Sequence, residues 1–313
     1  MEVIASTGRE DIAMVYIMQF EDGKMLECVE SLQPPNPRSN KWILLVSTMF
    51  GCPVGCTMCD AGGGFQGRAS AEQILQQIDF LVQKRFPDGI IDSQQFKIQF
   101  ARMGEPALSP AVLQVLKQLP QIYYAPGLMP SISTVAPAGR ERFFDELLEI
   151  KERFYSQGHF QFQFSLHTTD MLLRDQIIPI KKWSFEQMAA YGDRFYQSGD
   201  RKITLNFALA QHTPVDPQVL LQHFSPEKFL IKITPLNPTY RAEENKLASY
   251  IDPFQFSEND HLVAALEQAG YQVIVSIGET EENLIGSNCG QYLRRHLESE
   301  ERIQDGYTYE LQH

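Results

Sequence analysis

Gly51-Cys52-Pro53-Val54-Gly55-Cys56-Thr57-Met58-Cys59 places three thiols at C-x3-C-x2-C spacing inside one glycine-bearing loop. Three thiolates hold three irons of a [4Fe–4S] cube and leave the fourth iron open to a substrate. A structural zinc site wants four ligands, commonly in paired C-x2-C units, and no histidine lies near the triplet. A disulfide reading leaves one of the three thiols over and suits an oxidising compartment. The spacing therefore points to a cluster with one open iron rather than to a zinc knuckle or a cross-link.

Outward from the loop, strand-like and helix-like segments alternate. Apolar β-rich runs fall at residues 42–47, 96–100, 131–135, 160–166, 203–209 and 229–234. Helical periodicity falls between them at 71–84, 111–119, 140–155, 185–197 and 217–224, and a further helix over 257–269 leads to a strand at 271–277. Ser70 with Gln73, and Ser184 with Gln187, have capping-box spacing. Strands alternating with helices imply right-handed βαβ units on a parallel sheet. Six such units predict an α/β fold, an open partial (βα)6 barrel of TIM-like type. Chemistry gathers at the C-terminal ends of such strands. The cysteine loop, Gly104-Glu105-Pro106, Ser133-Thr134, Ser165-Leu166-His167 and Thr234-Pro235-Leu236-Asn237-Pro238 all fall there. Before the barrel, Glu21-Asp22-Gly23 between two alternating runs predicts a β-hairpin, and the Pro- and Asn-rich residues 33–40 read as a linker. The expected organisation is thus 1–40 hairpin and linker, 41–280 barrel, and 281–313 a C-terminal segment bearing Cys289, its charged end (298–313) a surface helix or tail.

The chain of 313 residues can bury a sizeable core, and its 43% hydrophobic and 21% charged content is ordinary for a globular protein. The first ten residues lack both the basic and the apolar parts of a signal peptide, and no apolar run is long enough to span a bilayer. Five cysteines, three of them committed to iron, fit a reducing cytoplasm. The net charge of −12 argues against a large nucleic-acid footprint. Lys181, Lys182, Arg194, Arg201 and Lys202 are the candidates for a local basic patch, with a solvated charged face as the plainer reading.

The ordered set Gly-Cys-x3-Cys-x2-Cys, Gly104-Glu105-Pro106, Ser165-Leu166-His167, Arg174-Asp175-x-Ile177-x-Pro179-Ile180-x-Lys182, Asn237-Pro238 and Cys289-Gly290-Gln291 resembles the RlmN/Cfr family of radical-SAM methyltransferases, which methylate adenosine carbons of ribosomal RNA. The resemblance runs from about Met14 to Tyr292. It implies a [4Fe–4S] cluster on Cys52, Cys56 and Cys59. It also implies an S-adenosylmethionine site at Gly104, Glu105, Ser133, Ser165, Leu166, His167 and Asn237. Cys289 matches the methyl-carrying cysteine of that family. There, the thiolate is methylated by one S-adenosylmethionine; a radical made from a second takes a hydrogen from the S-methyl group, and the carbon radical adds to an sp² carbon. Glu27 matches the general base. A low-potential electron donor such as flavodoxin or ferredoxin is implied as a partner.

Several features depart from the family. The thiol that resolves its covalent product lies seven residues before the first cluster cysteine, where this chain has Leu45. Cys28 is the only other thiol, and as a strand neighbour of Glu27 it is expected to face the opposite side. No N-terminal accessory domain precedes the barrel, and the approach to Cys289 is acidic. These departures favour a small-molecule substrate over RNA, with an RNA adenosine methyltransferase as the alternative. A non-methylating radical-SAM enzyme or a SAM-binding regulatory protein is the third reading.

Overall fold

The computed structural model describes residues 1–252, 260–303 and 305–313. Its strands, in chain order, are β1 Glu2–Arg9, β2 Ala13–Gln19, β3 Met25–Ser31, β4 Lys41–Val46, β5 Met49–Cys52, β6 Gly63–Arg68, β7 Gln95–Phe100, β8 Leu128–Thr134, β9 Gln161–Ser165, β10 Ile203–Leu209, β11 Phe229–Pro235 and β12 Val273–Val275. Ten of them form one sheet in the order β1-β2-β3-β4-β7-β8-β9-β10-β11-β12. From β4 to β12 every pairing is parallel. This is the expected open barrel, with β12 as its far edge among the described residues. The short β5–β6 ribbon is separate and carries the cysteine loop between its strands.

Alternation in the barrel strands separates two environments. Trp42, Leu44 and Val46 of β4, Phe96, Ile98 and Phe100 of β7, and Ile231 and Ile233 of β11 are buried on the outer face. There they meet the helices Ala71–Arg85, Ala111–Ile122, Glu141–Phe154, Phe185–Phe195, Pro217–His223 and His261–Gln268. Trp42 stacks on Phe96 at 4.9 Å between ring centroids. Phe144 packs on Trp183 at 4.3 Å. Both predicted capping boxes form reciprocally, Ser70 with Gln73 and Ser184 with Gln187. The start of the helix expected over 257–269 lies outside the described residues; Asp260 caps its described part.

The N-terminal hairpin is present as β2 and β3, but it belongs to a three-stranded antiparallel meander that includes β1. β3 then pairs antiparallel with β4 through Val29↔Leu45, so residues 33–40 turn the chain within one continuous sheet. The C-terminal residues depart from the expected surface helix or tail. Gln312 exchanges backbone hydrogen bonds with Ser6 of β1 at 2.7 and 2.8 Å, and Ile303 and Tyr307 are buried. Tyr307, Ile303 and Leu293 join Val15, Ile17 and Val29 in a second core under the meander. No helix among the described residues is long and apolar enough to cross a membrane.

Candidate active site

A cavity of about 280 Å³ opens at the C-terminal rim of the barrel. Cys52, Cys56, Cys59 and Cys289 all line it, with Gly104, Glu105, Ser133, Ser165, His167 and Asn237. The strand-end residues singled out from sequence thus converge, with two exceptions. Leu166 is fully buried in the outer core and does not line the cavity; its N–H donates to the Asn206 carbonyl of the neighbouring strand at 3.0 Å. Glu27 does not line the cavity.

The cysteine loop is fixed from outside itself. Asp60 accepts the backbone N–H groups of Tyr240 and Arg241 at 3.0 and 2.9 Å. Thr239 donates to the Met58 carbonyl at 3.0 Å, and the Arg241 guanidinium donates to the Gly55 carbonyl at 3.0 Å. Asp60, Thr239 and Arg241 were not singled out from sequence. The Asp beside Cys59 is the one local hint, because its partners lie far along the chain. Burial, and then the neighbouring carboxyl and thiol groups, push the Cys52 thiol up to about 11, Cys59 up to about 12 and Cys56 well above its usual value. Among the described residues no cationic group opposes that rise, and metal ligation requires the thiolate. Among the described residues no three His, Cys, Asp or Glu side chains close around a single metal ion. The three thiols of one C-x3-C-x2-C loop suit the donor set of a cube with an open iron, while Cys289, the fourth cysteine of the cavity, comes from a different segment.

Glu105 is buried, and three protein donors meet its carboxyl. Oε1 accepts from the Ala107 N–H at 3.0 Å and from the Thr134 hydroxyl, and Oε2 accepts from the Val135 N–H at 2.9 Å. A carboxylate has about four acceptor positions, so one remains for a ligand. Burial outweighs these bonds and raises Glu105 from the usual 4.5 to about 7. Its contribution to stability is therefore full below the unfolded value and is lost as pH rises through about 7. Glu105→Gln is expected to remove that slope. In urea titrations of the cluster-free chain between pH 4.5 and 7.5, wild type should lose on the order of 3 kcal/mol relative to the variant. Parallel pH profiles would contradict the assignment.

Gly104 has φ +98, and a Cβ there would lie 2.6 Å from the Met49 side chain and 2.7 Å from Thr48 Oγ1, so only glycine fits. His167 also has positive φ, at 67. Its Nδ1 accepts the Ala208 N–H at 3.1 Å, which leaves the proton on Nε2. Burial, aided by Arg174, pushes it down to about 4, so the ring is neutral.

Cys289 sits in a loop held on every side. Asn237 Nδ2 donates to its carbonyl, and the Asp60 N–H donates to the Gly290 carbonyl at 2.9 Å. Its sulfur lies 3.5 Å from the Ala101 carbonyl. The side chain is accessible, but the face it exposes looks into the cavity. Burial raises its thiol, and Arg102 and Lys232 oppose that rise.

Glu27 is a buried ion pair rather than an exposed hairpin charge. It meets Arg102 at 2.8 Å, and their side chains are 1% and 0% exposed. Its other contacts are the backbone N–H groups of Leu293 and Arg294, at 3.3 and 2.9 Å. Arg102 in turn donates to the carbonyls of Gly286, Ser287 and Asn288, at 2.8, 3.4 and 2.9 Å. The pair ties β3 to the residues just before Cys289. Proton transfer to a substrate requires hydrogen-bond reach. In this structure Glu27 has Arg102 and two backbone amides as its partners and no face on the cavity.

Cys28 faces the other side of the sheet, as strand alternation requires. It is fully buried in the outer core, 3.9 Å from the Met18 sulfur, and burial pushes its thiol far up. Leu45 lines the cavity where a second thiol would stand in the resembling family. Four residues of the candidate basic patch have protein partners: Lys182 pairs with Asp175, Arg194 with Asp145, and Arg201 and Lys202 donate to backbone carbonyls.

No protein-family model matches the chain. It is 29% identical over 309 residues to a probable dual-specificity RNA methyltransferase RlmN of Desulfitobacterium hafniense, an alignment that spans 94% of this chain and 80% of that protein. A probable RlmN of Synechocystis is 26% identical over 258 residues, spanning 80% of this chain and 67% of that one. The crystal structure of a radical SAM methyltransferase from Sphaerobacter thermophilus superimposes with a TM-score of 0.69 at 18% identity, over 93% of this chain and 80% of that one. RlmN-like in sequence over nearly its whole length, the chain is an enzyme of the radical-SAM methyltransferase type, the type that works with a [4Fe–4S] cluster and S-adenosylmethionine.

Proposed function

We propose that the protein methylates an adenosine carbon in RNA and carries the transferred carbon on Cys289. One observation supports this most: the Cys289 thiol opens onto the same cavity as Cys52, Cys56 and Cys59, in a chain aligned almost throughout with proteins named as RNA methyltransferases. The small-molecule substrate favoured by the acidic charge and by Leu45 has no counterpart among those relatives, and the RNA alternative takes its place.

In this reading Cys52, Cys56 and Cys59 hold the cluster, which supplies one-electron reduction of S-adenosylmethionine at its open iron. The free acceptor position of Glu105 receives the ammonium of S-adenosylmethionine, and that positive charge favours the ionised carboxylate. Ser133, Ser165 and Asn237 offer polar atoms at the rim for its carboxylate and sugar, and neutral His167 offers its Nε2–H. Cys289 acts as a thiolate, which Arg102 and Lys232 favour against burial. Release of a product tethered to Cys289 needs an attacking thiolate. Leu45 offers none, and Cys28 lies behind the sheet, so an external thiolate would attack the Cys289 sulfur, forming a disulfide with it as the S–C bond to the product breaks and the departing carbon keeps the electron pair and takes a proton.

The test is a turnover assay on RNA with methyl-labelled S-adenosylmethionine, cluster-loaded protein, a low-potential electron donor and added thiol. Label on an adenosine carbon, thiol-dependent and unchanged in Cys28→Ala, is expected. Label that never enters RNA would overturn the substrate class. A Cys289 adduct trapped by Cys28→Ala would make Cys28 the resolving thiol.

A further inference from the structure

The inner face of the barrel is polar, which is unusual for parallel strands covered on both sides. Its positions alternate with the apolar outer ones and include Lys41 of β4, Lys97 and Gln99 of β7, Ser131 of β8, Gln163 of β9, Asn206 of β10 and Lys232 of β11. The register brings them into adjoining rows. Ile43 pairs with Lys97, Leu45 with Gln99, Gln99 with Ser131, and Asn206 with Lys232. In a chain with net charge −12, no aspartate or glutamate occurs on any barrel strand from β4 to β12, the β5–β6 ribbon aside.

We propose that this lumen binds an oxyanion, a phosphate group carried by the substrate, with Lys97 and Lys232 as its principal partners. Three observations carry it. Among the described residues none of the ammonium groups of Lys41, Lys97 and Lys232 makes a hydrogen bond or a salt bridge, and the Cys289 thiol is the one acidic group that acts on Lys232. Ser131 is fully buried, and its hydroxyl has no hydrogen-bond partner. Lys232, Gln99, Gln163 and Asn206 line the same cavity as Cys289, and Lys97 lies two residues before Gln99 on the same face of β7, deeper in the lumen.

Half-buried cations and a buried hydroxyl without partners destabilise a fold. Their concentration at one place therefore points to a ligand that satisfies them. Burial, and then Lys232, Lys41 and Arg201, push Lys97 down to about 7. Lys232 is lowered as well, first by burial. An arriving phosphate supplies the missing negative charge and accepts from several donors at once, which makes such bonds strong.

The proposal is independent of the RNA reading, since free phosphoesters and RNA share this chemistry. The test titrates cluster-loaded protein with inorganic phosphate by calorimetry, then repeats the titration with a short RNA oligonucleotide present. Wild type should bind phosphate. Lys97→Gln and Lys232→Gln should each weaken it by roughly tenfold or more, the loss of one charge-assisted hydrogen bond, with S-adenosylmethionine affinity unchanged in Lys97→Gln. Lys97→Met should keep or raise the melting temperature while losing phosphate, because the half-buried charge is removed. A purely structural lysine would instead lose stability with no change in phosphate affinity. Displacement of phosphate by RNA assigns the site to the RNA backbone, and its absence assigns it to a small phosphoester; both support the site. No phosphate binding by wild type, or equal binding by the variants, would overturn it.

Discussion

Arg102→Ala is expected to destabilise the fold by about 3–5 kcal/mol, the cost of breaking a buried ion pair and leaving one charge unpaired. Arg102 is fully buried against Glu27 and donates to three consecutive carbonyls before Cys289, so its loss also frees that loop. Glu27→Met should cost a similar amount. The double variant Glu27→Met/Arg102→Ala should recover part of it, because neither charge is then stranded. Urea titration of the four proteins measures the coupling. If Glu27 served only as a proton acceptor, Glu27→Met would keep its stability and lose activity alone. The rate at which iodoacetamide alkylates Cys289 gives a second readout, expected to change when the clamp is removed and the thiol loses a neighbouring cation.

Replacing Cys52, Cys56 or Cys59 by alanine is expected to abolish both cluster loading and cleavage of S-adenosylmethionine. Cys289→Ala should abolish methyl transfer while leaving reductive cleavage intact. The contrast follows from the geometry. The triplet occupies one loop fixed by Asp60, Thr239 and Arg241, and Cys289 reaches the same cavity from a different segment. Iron and sulfide content with product analysis of 5′-deoxyadenosine separates the two classes. Cleavage lost equally in Cys289→Ala would place that residue with the cluster ligands.

How much of this was legible in the sequence depends on range. The strands were readable because period-two alternation is local: Phe96, Ile98 and Phe100 mark the buried face of β7 without reference to anything distant. The cysteine loop was readable because its chemistry is local too. The buried pairing of Glu27 is not legible locally because its partner lies 75 residues away, and only the β3–β4–β7 order brings Arg102 beneath it. Leu166 was assigned to the site by its neighbours in a motif, yet strand alternation turns its side chain into the outer core. The C-terminal residues looked like a charged tail because their anchor is the opposite end of the chain, where Ser6 pairs with Gln312. The unpaired lysines of the lumen were hidden in an acidic total, since net charge carries no information about which face a strand residue takes.

The central claim is that Cys289 carries the transferred carbon, and mass spectrometry of Cys289 tests it most directly. Cluster-loaded protein is given methyl-labelled S-adenosylmethionine with no electron donor, then donor, RNA and thiol are added. One labelled methyl group on Cys289 before addition, and its disappearance as label enters an adenosine of the RNA, is the predicted result. Cleavage of S-adenosylmethionine with Cys289 unmodified at every time point would contradict the account.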